Sequence, residues 1–219
     1  MIKIENQEVV GWEHAIRGMR NPMNSWDKSD SDYVQVCGDF EWEYHIGNND
    51  LDLMTRLSKA GTDHRKFMRM IVVYADITAP LYWWKEYDTY KVGTVANSCS
   101  TMHKIHDKEF TLDDFSHEHL LDANLDVLNS IINGLNNMRY NYINFETLNT
   151  PCYVEKKDYW WQMIQLLPSS YNQKRTVMLN YEVLKNMYHS RKNHKLDEWR
   201  TFCDWIETLP YAKELICNE

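Results

Sequence analysis

The sequence contains two segments rich in hydroxyl, amide and charged side chains, at residues 86–103 and 180–198. Hydroxyl-rich turns bind phosphate through side-chain and backbone donors, and a neighbouring aromatic ring can stack on a nucleobase or a flavin. The earlier segment combines both features, because Tyr90 and Lys91 precede a predicted turn and Ser98 follows it. These residue types predict a nucleotide or flavin site, although a polar junction between a helix and a strand has the same composition.

The later segment falls largely within a helix predicted over residues 177–191. Asn180, Leu184 and Arg191 are separated by four and seven residues, which places them on one stripe of that helix. The planar guanidinium of Arg191 suits a phosphate or a carboxylate, because it donates hydrogen bonds in pairs. A solvated helix face with an internal ion pair would show the same spacing.

Composition narrows the classes of ligand. The chain of 219 residues has a formal net charge of −8, which repels nucleic-acid backbones and leaves a mononucleotide as a better candidate than DNA or RNA. Its seven glycines form no GxGxxG or Walker-type loop, so side chains or helix N-termini must hold any phosphate. The five cysteines include no CxxC pair, which predicts a reduced, cytoplasmic protein. No apolar stretch is long enough for a membrane span or a signal peptide.

Hydrophobic periodicity predicts a single helix-rich α+β domain over residues 1–219, with a small sheet built from the first half of the chain. A strand is predicted at residues 70–74, a helix begins at Pro80, and residues 94–98 are extended. Gly61 is predicted to end a helix in the left-handed conformation. The remaining predictions are a strand within residues 34–45 and helices over residues 49–60, 115–140, 153–167, 177–191 and 196–209.

Five short motifs follow one another along the chain: GTDHRKF at 61–67, NSCS at 97–100, LP at 167–168, NYE at 180–182, and Arg191 followed by HKLDE at 194–198. Their order and spacing resemble the flavin-dependent thymidylate synthase (ThyX) family over roughly residues 50–200. That family has a histidine motif, an RHRxxSxNExSxR signature and, nearer the C-terminus, an LP dipeptide, an N-x-R motif and an arginine followed by HAQxE. The resemblance implies long helices around a small, mostly antiparallel sheet, and assembly into a homotetramer.

The resemblance also implies which residues hold ligands. The flavin-facing positions of the family match His64, Lys66, Tyr90, Asn180, Leu184 and His194. The nucleotide-binding positions match Glu86, Lys91, Ser98, Ser100 and Arg191. The implied cofactor is FAD, and NADPH and methylenetetrahydrofolate are the implied co-substrates for methylating dUMP or a related pyrimidine nucleotide. The family uses no protein nucleophile and no metal, so no catalytic residue is assigned, and Cys99 is expected to be a packed thiol.

The chain departs from the family pattern where the family binds anions. Residues 89–91 read Thr-Tyr-Lys in place of Arg-His-Arg. Ser98 replaces a glutamate, and two further arginines are replaced, one by Met102 or His103 and one by Glu182. Each charge-assisted hydrogen bond contributes about 1.5–3 kcal/mol. Weaker binding of dUMP is therefore expected, unless another cation such as Arg175 or Lys85 substitutes. Arg175 is the better candidate, because it lies in a loop predicted after the LP dipeptide.

Two alternatives to a synthase stay open. The first is a non-catalytic homologue that binds a nucleotide or a flavin after losing the synthase chemistry. The second is an HD-type metal-dependent phosphohydrolase, because His106 and Asp107 form an HD dipeptide with His64 before it and Asp126 after it. Histidine and aspartate are suitable ligands for divalent metals, but so short a motif recurs by chance.

Overall fold

The computed structural model describes residues 2–35 and 42–218. The chain forms two compact units, each assembled from separate segments. Unit 1 comprises Met1–Lys3, Ile77–Thr89 and Asn97–Arg175, and unit 2 comprises Ile4–Asp76, Tyr90–Ala96 and Thr176–Glu219. The assignment of the whole chain to one domain stays a prediction.

The described residues form six strands and nine α-helices. The strands are β1 (Lys3–Val10), β2 (Asp32–Gln35), β3 (Trp42–His45), β4 (Val72–Pro80), β5 (Thr94–Ser98) and β6 (Asn172–Asn180). The helices are α1 (Trp12–Arg20), α2 (Asn48–Lys59), α3 (Leu81–Tyr87), α4 (Thr101–Lys104), α5 (Asp122–Ile143), α6 (Lys156–Leu166), α7 (Tyr181–Arg191), α8 (Asp197–Glu207) and α9 (Ala212–Leu215). None of the helices in the described residues is both long enough and apolar enough to cross a membrane.

The larger sheet has the strand order β1-β4-β6-β5. Two backbone hydrogen bonds bracket the β4–β6 pair and fix it as antiparallel: Leu81 N–H donates to Tyr171 O (3.0 Å), and Tyr181 N–H donates to Ile71 O (3.1 Å). Strands β2 and β3 form a separate antiparallel hairpin. The predicted α+β class, with long helices and a small antiparallel sheet, is therefore confirmed.

Helix α5 supplies the core of unit 1. Leu128, Ile132 and Leu135 recur at helical spacing, are buried, and pack with Met163 of α6. The helix was predicted over residues 115–140 but begins seven residues later, at Asp122. A bridge between Phe115 and Tyr171 holds the preceding chain extended, so tertiary pairing overrides the local helical pattern there.

The largest correction concerns residues 177–180, which were predicted to begin a helix. They instead complete β6, whose buried residues Val177 and Leu179 alternate with less buried ones, as in a strand. The helix starts only at Tyr181, so Asn180 is not part of a helical stripe with Leu184 and Arg191. A run of apolar and β-branched residues fits either state, and pairing with β4 decides it.

Other predictions are confirmed or adjusted by a few residues. Gly61 has a φ of 99°, Pro80 is the N-cap of α3, and residues 94–98 form a strand, all as predicted. The predicted strand at residues 70–74 starts at Val72, after a 3₁₀-helix at Arg65–Met70.

The helix predicted over residues 49–60 is α2, and Asp50 lies in its first turn. Its carboxylate is fully buried, 2.6 Å from Arg20 Nε. The predicted strand within residues 34–45 is partly confirmed by β2 and β3, and residues 36–41 lie outside the described residues.

Candidate functional site

Unit 1 contains a cavity of about 550 Å³, here called the lysine cavity. It is lined by the loop after β5, by α4 and by the start of β6. Its charged lining residues are Lys3, Lys104, Lys108, Lys174, Asp113 and Asp114. Four lysines and two aspartates give the lining a formal charge of +2, in a chain whose net charge is −8. This local reversal of sign favours an anionic ligand.

Backbone hydrogen bonds hold the loop after β5 at the cavity. Cys99 N–H donates to Lys174 O (2.9 Å), and Gln173 Nε2 donates to Cys99 O (2.8 Å). Ser100 Oγ accepts from His103 N–H (3.1 Å) and so begins α4, which brings Lys104 to the cavity one turn later. Ser100 therefore lies at this cavity, and its hydroxyl hydrogen can still be donated to a ligand.

Two of the cavity lysines already contact carboxylates. Lys104 Nζ lies 2.9 Å from Asp107, and Lys108 is paired with Asp114. The Lys104 and Asp107 side chains are 71% and 47% exposed, so they form a surface ion pair of little net strength. Lys108 is also mostly exposed, but its partner Asp114 is only 12% exposed. A phosphate with two negative charges can therefore compete for Lys104.

One wall of the lysine cavity is aromatic. Tyr171 lines it, and the Tyr171 ring lies 5.7 Å from the Phe115 ring and 6.3 Å from the Phe110 ring, between centroids. Burial, aided by the charge of Asp114, raises the pKa of Tyr171, so the phenol stays neutral. A fixed neutral ring of this kind can stack on a base.

The structure does not gather all the predicted nucleotide-binding residues at this cavity. Ser98 is exposed at the end of β5, and Glu86 is partly buried on α3, where its carbonyl accepts hydrogen bonds from Thr89. Neither lines the cavity. Lys91 and Arg191 belong to unit 2.

Cys99 corrects the expectation of a packed thiol. It is exposed and lines the lysine cavity, because its backbone pairs with β6 while its side chain stays outside the core.

Unit 2 brings three of the predicted residues together around Arg191. Arg191 Nε donates to the Tyr90 hydroxyl (2.9 Å), and the guanidinium carbon lies 4.7 Å from the Trp199 ring and 5.6 Å from the Tyr90 ring. The His194 ring lies 6.3 Å from Trp199, in the turn between α7 and α8. We call Tyr90, Arg191, His194 and Trp199 the Arg191 cluster. Trp199 was missed, although its indole at the start of α8 completes the stacking.

Asn180 and Leu184 serve the fold of unit 2. The Asn180 side chain accepts a hydrogen bond from Val183 N–H (2.9 Å) and so caps α7. Gly93 lies against it with a φ of 79°, and a Cβ there would be 2.6 Å from Asn180 Nδ2. Leu184 is fully buried, so a flavin would reach it only if this core opened. The roles predicted for both residues stay predictions.

A buried ion pair holds the histidine motif against α7. Arg65 Nε lies 3.1 Å and 2.9 Å from the two carboxylate oxygens of Glu182. The structure gives Glu182, which the sequence comparison matched to a family arginine, a cationic partner inside unit 2. The flanking His64 and Lys66 are both exposed, which leaves their side chains accessible to a ligand.

Arg175 was predicted in a loop and instead lies in β6. Its guanidinium lies 4.2 Å from the Trp84 ring, and its NH1 lies 2.8 Å from Asp88. The stacking and the ion pair hold this side chain in place, because both would be lost on moving. The cations that the sequence reasoning missed are those of the lysine cavity. The sequence signal that could have found them is the spacing of Lys104, which follows Ser100 by four residues and so lies one helical turn from it.

The described part of the chain contains no group of three or more His, Cys, Asp or Glu side chains that could hold a metal ion. In the HD dipeptide, His106 Nε2 lies 3.6 Å from Asp107, and the His106 ring lies 4.7 Å from that of Tyr142. The HD dipeptide is therefore packed within unit 1, whereas His64, the first histidine of the proposed metal motif, is part of unit 2.

The fold resembles those of solved nucleotide-modifying enzymes. A thymidylate synthase X (ThyX) from Helicobacter pylori with FAD and dUMP is 15% identical, with a TM-score of 0.66 over 99% of this chain and 97% of that chain. A second structure of the Helicobacter pylori enzyme complexed with FAD and dUMP gives 15% identity and a TM-score of 0.65, covering 97% of each chain. A UMP/dUMP methylase, PolB, from Streptomyces cacaoi bound with 5-Br dUMP gives 12% identity and a TM-score of 0.60, over 99% of this chain and 95% of that chain.

No protein-family model and no curated protein sequence matches the chain. At these identities, the likeness establishes that the chain has the ThyX fold.

Proposed function

We propose that the chain is an FAD-dependent enzyme that methylates dUMP or a related pyrimidine nucleotide. The observation that carries the proposal is the lysine cavity. It has a positive lining in an acidic chain, and Ser100, a position matched to nucleotide binding, lies on it. Structures with the same fold hold dUMP and FAD. A UMP/dUMP methylase with a similar fold is bound with 5-Br dUMP.

The lysine cavity fits a nucleoside monophosphate. Lys104 and Lys174 supply charge for the phosphate, and Ser100 supplies a hydroxyl donor. Tyr171 supplies a ring for the pyrimidine. A lysine ammonium lacks the planar pair of N–H donors that an arginine presents to a phosphate. We therefore expect nucleotide binding in the lysine cavity to depend more on charge and less on the orientation of the phosphate. Of the other predicted nucleotide-binding residues, Glu86, Lys91 and Ser98 stay proposals without a contact to this cavity.

Unit 2 carries groups that fit FAD. His64 and Lys66 are exposed on one short segment, and the Lys66 ammonium and a His64 ring N–H can both donate to the diphosphate. Tyr90 and His194 offer rings beside Arg191. Bound FAD would supply the electron pair that converts a transferred one-carbon unit into a methyl group. Methylenetetrahydrofolate is the proposed carbon donor and NADPH the proposed reductant.

Assembly into a homotetramer is part of the proposal. Helix α5 carries the exposed apolar side chains Val127, Tyr140 and Ile143, and only three of its residues are charged: Asp122, Asp126 and Arg139. A helix with few charges and several exposed apolar side chains suits contact with a second copy. The proposed cytoplasmic location fits the four described cysteines, which are free thiols.

Two titrations test binding. The purified protein should bind FAD, seen as a shifted flavin absorption spectrum, and should bind dUMP in calorimetry. Lys174→Ala and Lys104→Ala should each weaken the binding of dUMP by about tenfold or more, because each variant loses a charge-assisted contact to the phosphate. Lys157→Ala, an exposed lysine on α6 outside the cavity, is the matched control and should leave the affinity unchanged. If the wild-type protein does not bind FAD, or does not bind dUMP, the proposed function is wrong.

A second candidate is a homologue that binds both ligands without turnover. The commitment of Glu182 to Arg65 favours it, because the position of a family arginine is used to stabilise unit 2. Formation of dTMP from dUMP with methylenetetrahydrofolate and NADPH separates the two candidates. Product formation supports the synthase, and tight binding of FAD and dUMP without product supports the binding protein.

A further inference from the structure

A second cavity, of about 580 Å³, lies within unit 2 and has no part in the proposed reaction. It is lined by the end of β1, the start of α1, the β2–β3 hairpin and the segment before α9. Four aromatic residues contribute to its wall: Trp12, Tyr33, Tyr44 and Tyr211. We call it the aromatic cavity.

The four rings form two angled pairs. The Tyr33 and Tyr44 centroids are 5.0 Å apart at an interplanar angle of 67°, and the Trp12 and Tyr211 centroids are 5.5 Å apart at 73°. In an edge-to-face pair, the edge of one ring covers one face of the other, so other faces of the pair remain for contact with a ligand. Ring faces carry negative electrostatic potential and attract cations.

The charges on the lining have the sign that the rings require. Glu13 and Glu43 line the cavity, and its described lining includes no lysine or arginine, so the formal charge there is −2 with His14 neutral. The Tyr33 hydroxyl donates to Glu13 Oε2 (3.1 Å). Arg17 lies 3.9 Å from Glu13 Oε1, but both side chains of this pair are largely exposed, so it neutralises Glu13 only weakly.

The phenols of Tyr33 and Tyr44 stay neutral. Burial, together with the charges of Asp50 and Glu13, raises the pKa of Tyr44 to about 12. The hydrogen bond to Glu13 also raises the pKa of Tyr33. Both hydroxyls therefore lie in negative potential, the reverse of the potential expected in the lysine cavity.

We propose that the aromatic cavity binds an organic cation of the alkylated ammonium class. Val9, Val10 and Pro210 provide apolar contacts for its alkyl groups, the rings attract its charge, and the carboxylates complete the neutralisation. An anionic nucleotide is disfavoured by the two glutamates. This site belongs to unit 2 alone, and its occupation requires neither FAD nor dUMP.

The test compares choline with its uncharged isostere, 3,3-dimethylbutan-1-ol, by calorimetry on the full chain without other ligands. These two probes have nearly the same shape and differ in charge. Choline should bind about tenfold or more tightly than the isostere, because cation–π attraction and the carboxylates act on the charge alone. Equal binding of the two probes, or no binding of choline, overturns the proposal.

Variants locate the binding. Tyr33→Leu and Glu43→Gln should each weaken choline by about three- to thirtyfold, since one removes a ring and the other a charge. Both positions are on the exposed hairpin, so neither should impair folding. Tyr153→Leu and Asp27→Asn are exposed aromatic and acidic controls outside the cavity and should bind choline as the wild type does. Choline binding that survives both hairpin variants, or that the controls weaken equally, overturns the assignment to this cavity.

Discussion

The lysine cavity of unit 1 and the Arg191 cluster of unit 2 use cationic side chains in opposite ways. In the cavity, Lys104 and Lys108 are mostly exposed, and Lys104 forms only a weak surface pair with Asp107. In the cluster, Arg191 is stacked on two rings and hydrogen-bonded to Tyr90. A cation beside open volume can be recruited by a ligand at little cost, whereas a stacked and hydrogen-bonded cation must first give up contacts within the protein.

The same contrast extends to the neighbouring residues. In unit 2, Asn180 caps α7, Leu184 is in the core, and Glu182 is paired with Arg65. In unit 1, the cavity retains about 550 Å³ of unfilled volume. In unit 2, residues matched to binding positions of the family thus serve the fold. In unit 1, lysines outside the family's motifs supply the positive charge of the cavity.

The largest expected effect is the loss of stability when the Arg65–Glu182 ion pair is broken. Arg65→Met should lower the free energy of unfolding by about 3–5 kcal/mol, because it leaves Glu182 buried without a cation. Lys104→Met removes one partner of an exposed pair in unit 1 and should change the free energy of unfolding by less than about 1 kcal/mol. Urea unfolding measures both.

The double variant Arg65→Met with Glu182→Leu is the control for the first prediction. It should recover most of the lost stability, because it removes both buried charges together. If Arg65→Met and Lys104→Met prove equally mild, the contrast between the two kinds of ion pair is wrong.

Two glycines provide the next comparison. Gly93 has a φ of 79°, and a Cβ there would lie 2.6 Å from Asn180 Nδ2. Gly93→Ala should destabilise the protein by about 1–3 kcal/mol, through left-handed backbone strain and the clash. A Cβ added at Gly134 in α5 would meet nothing within 4 Å, so Gly134→Ala should stabilise by about 0.5–1 kcal/mol. Thermal denaturation of the two variants would refute this comparison if both moved the melting temperature in the same direction.

A third effect is a pH dependence from Lys185, which is buried in unit 2 and donates hydrogen bonds to the Leu215 and Asn218 carbonyls. Burial, aided by Arg65, lowers the pKa of Lys185 from 10.5 to about 8. Between these pH values the unfolded chain holds more protons at this site than the folded one. The free energy of unfolding therefore gains a contribution that rises with pH across this window.

Lys185→Met should lack this contribution. The stability difference between the wild type and the variant should grow in favour of the wild type as the pH rises from 8 toward 10.5. Urea unfolding at several pH values checks it, and other titrating groups cancel in the difference. A constant difference across this range would exclude a proton uptake linked to Lys185.

Local signals predicted the elements that residue type alone determines. Pro80 begins α3 and Gly61 follows α2 with a positive φ, because their backbone preferences do not depend on distant residues. Leu128, Ile132 and Leu135 gave the core face of α5 through spacing alone. Residues 177–180 were misassigned because their apolar pattern fits a helix or a strand, and only pairing with β4 distinguishes the two.

The sequence by itself determined the α+β class, the ThyX resemblance and the acidic charge, since these follow from periodicity, motif order and composition. Tertiary structure alone decided which cations surround open volume. Lys104 and Lys174 are seventy residues apart and reach one cavity only because Cys99 pairs with Lys174 across the sheet. It also decided that Glu182 is an internal partner of Arg65, because the energy of a charge depends on burial and on neighbours that sequence spacing does not specify.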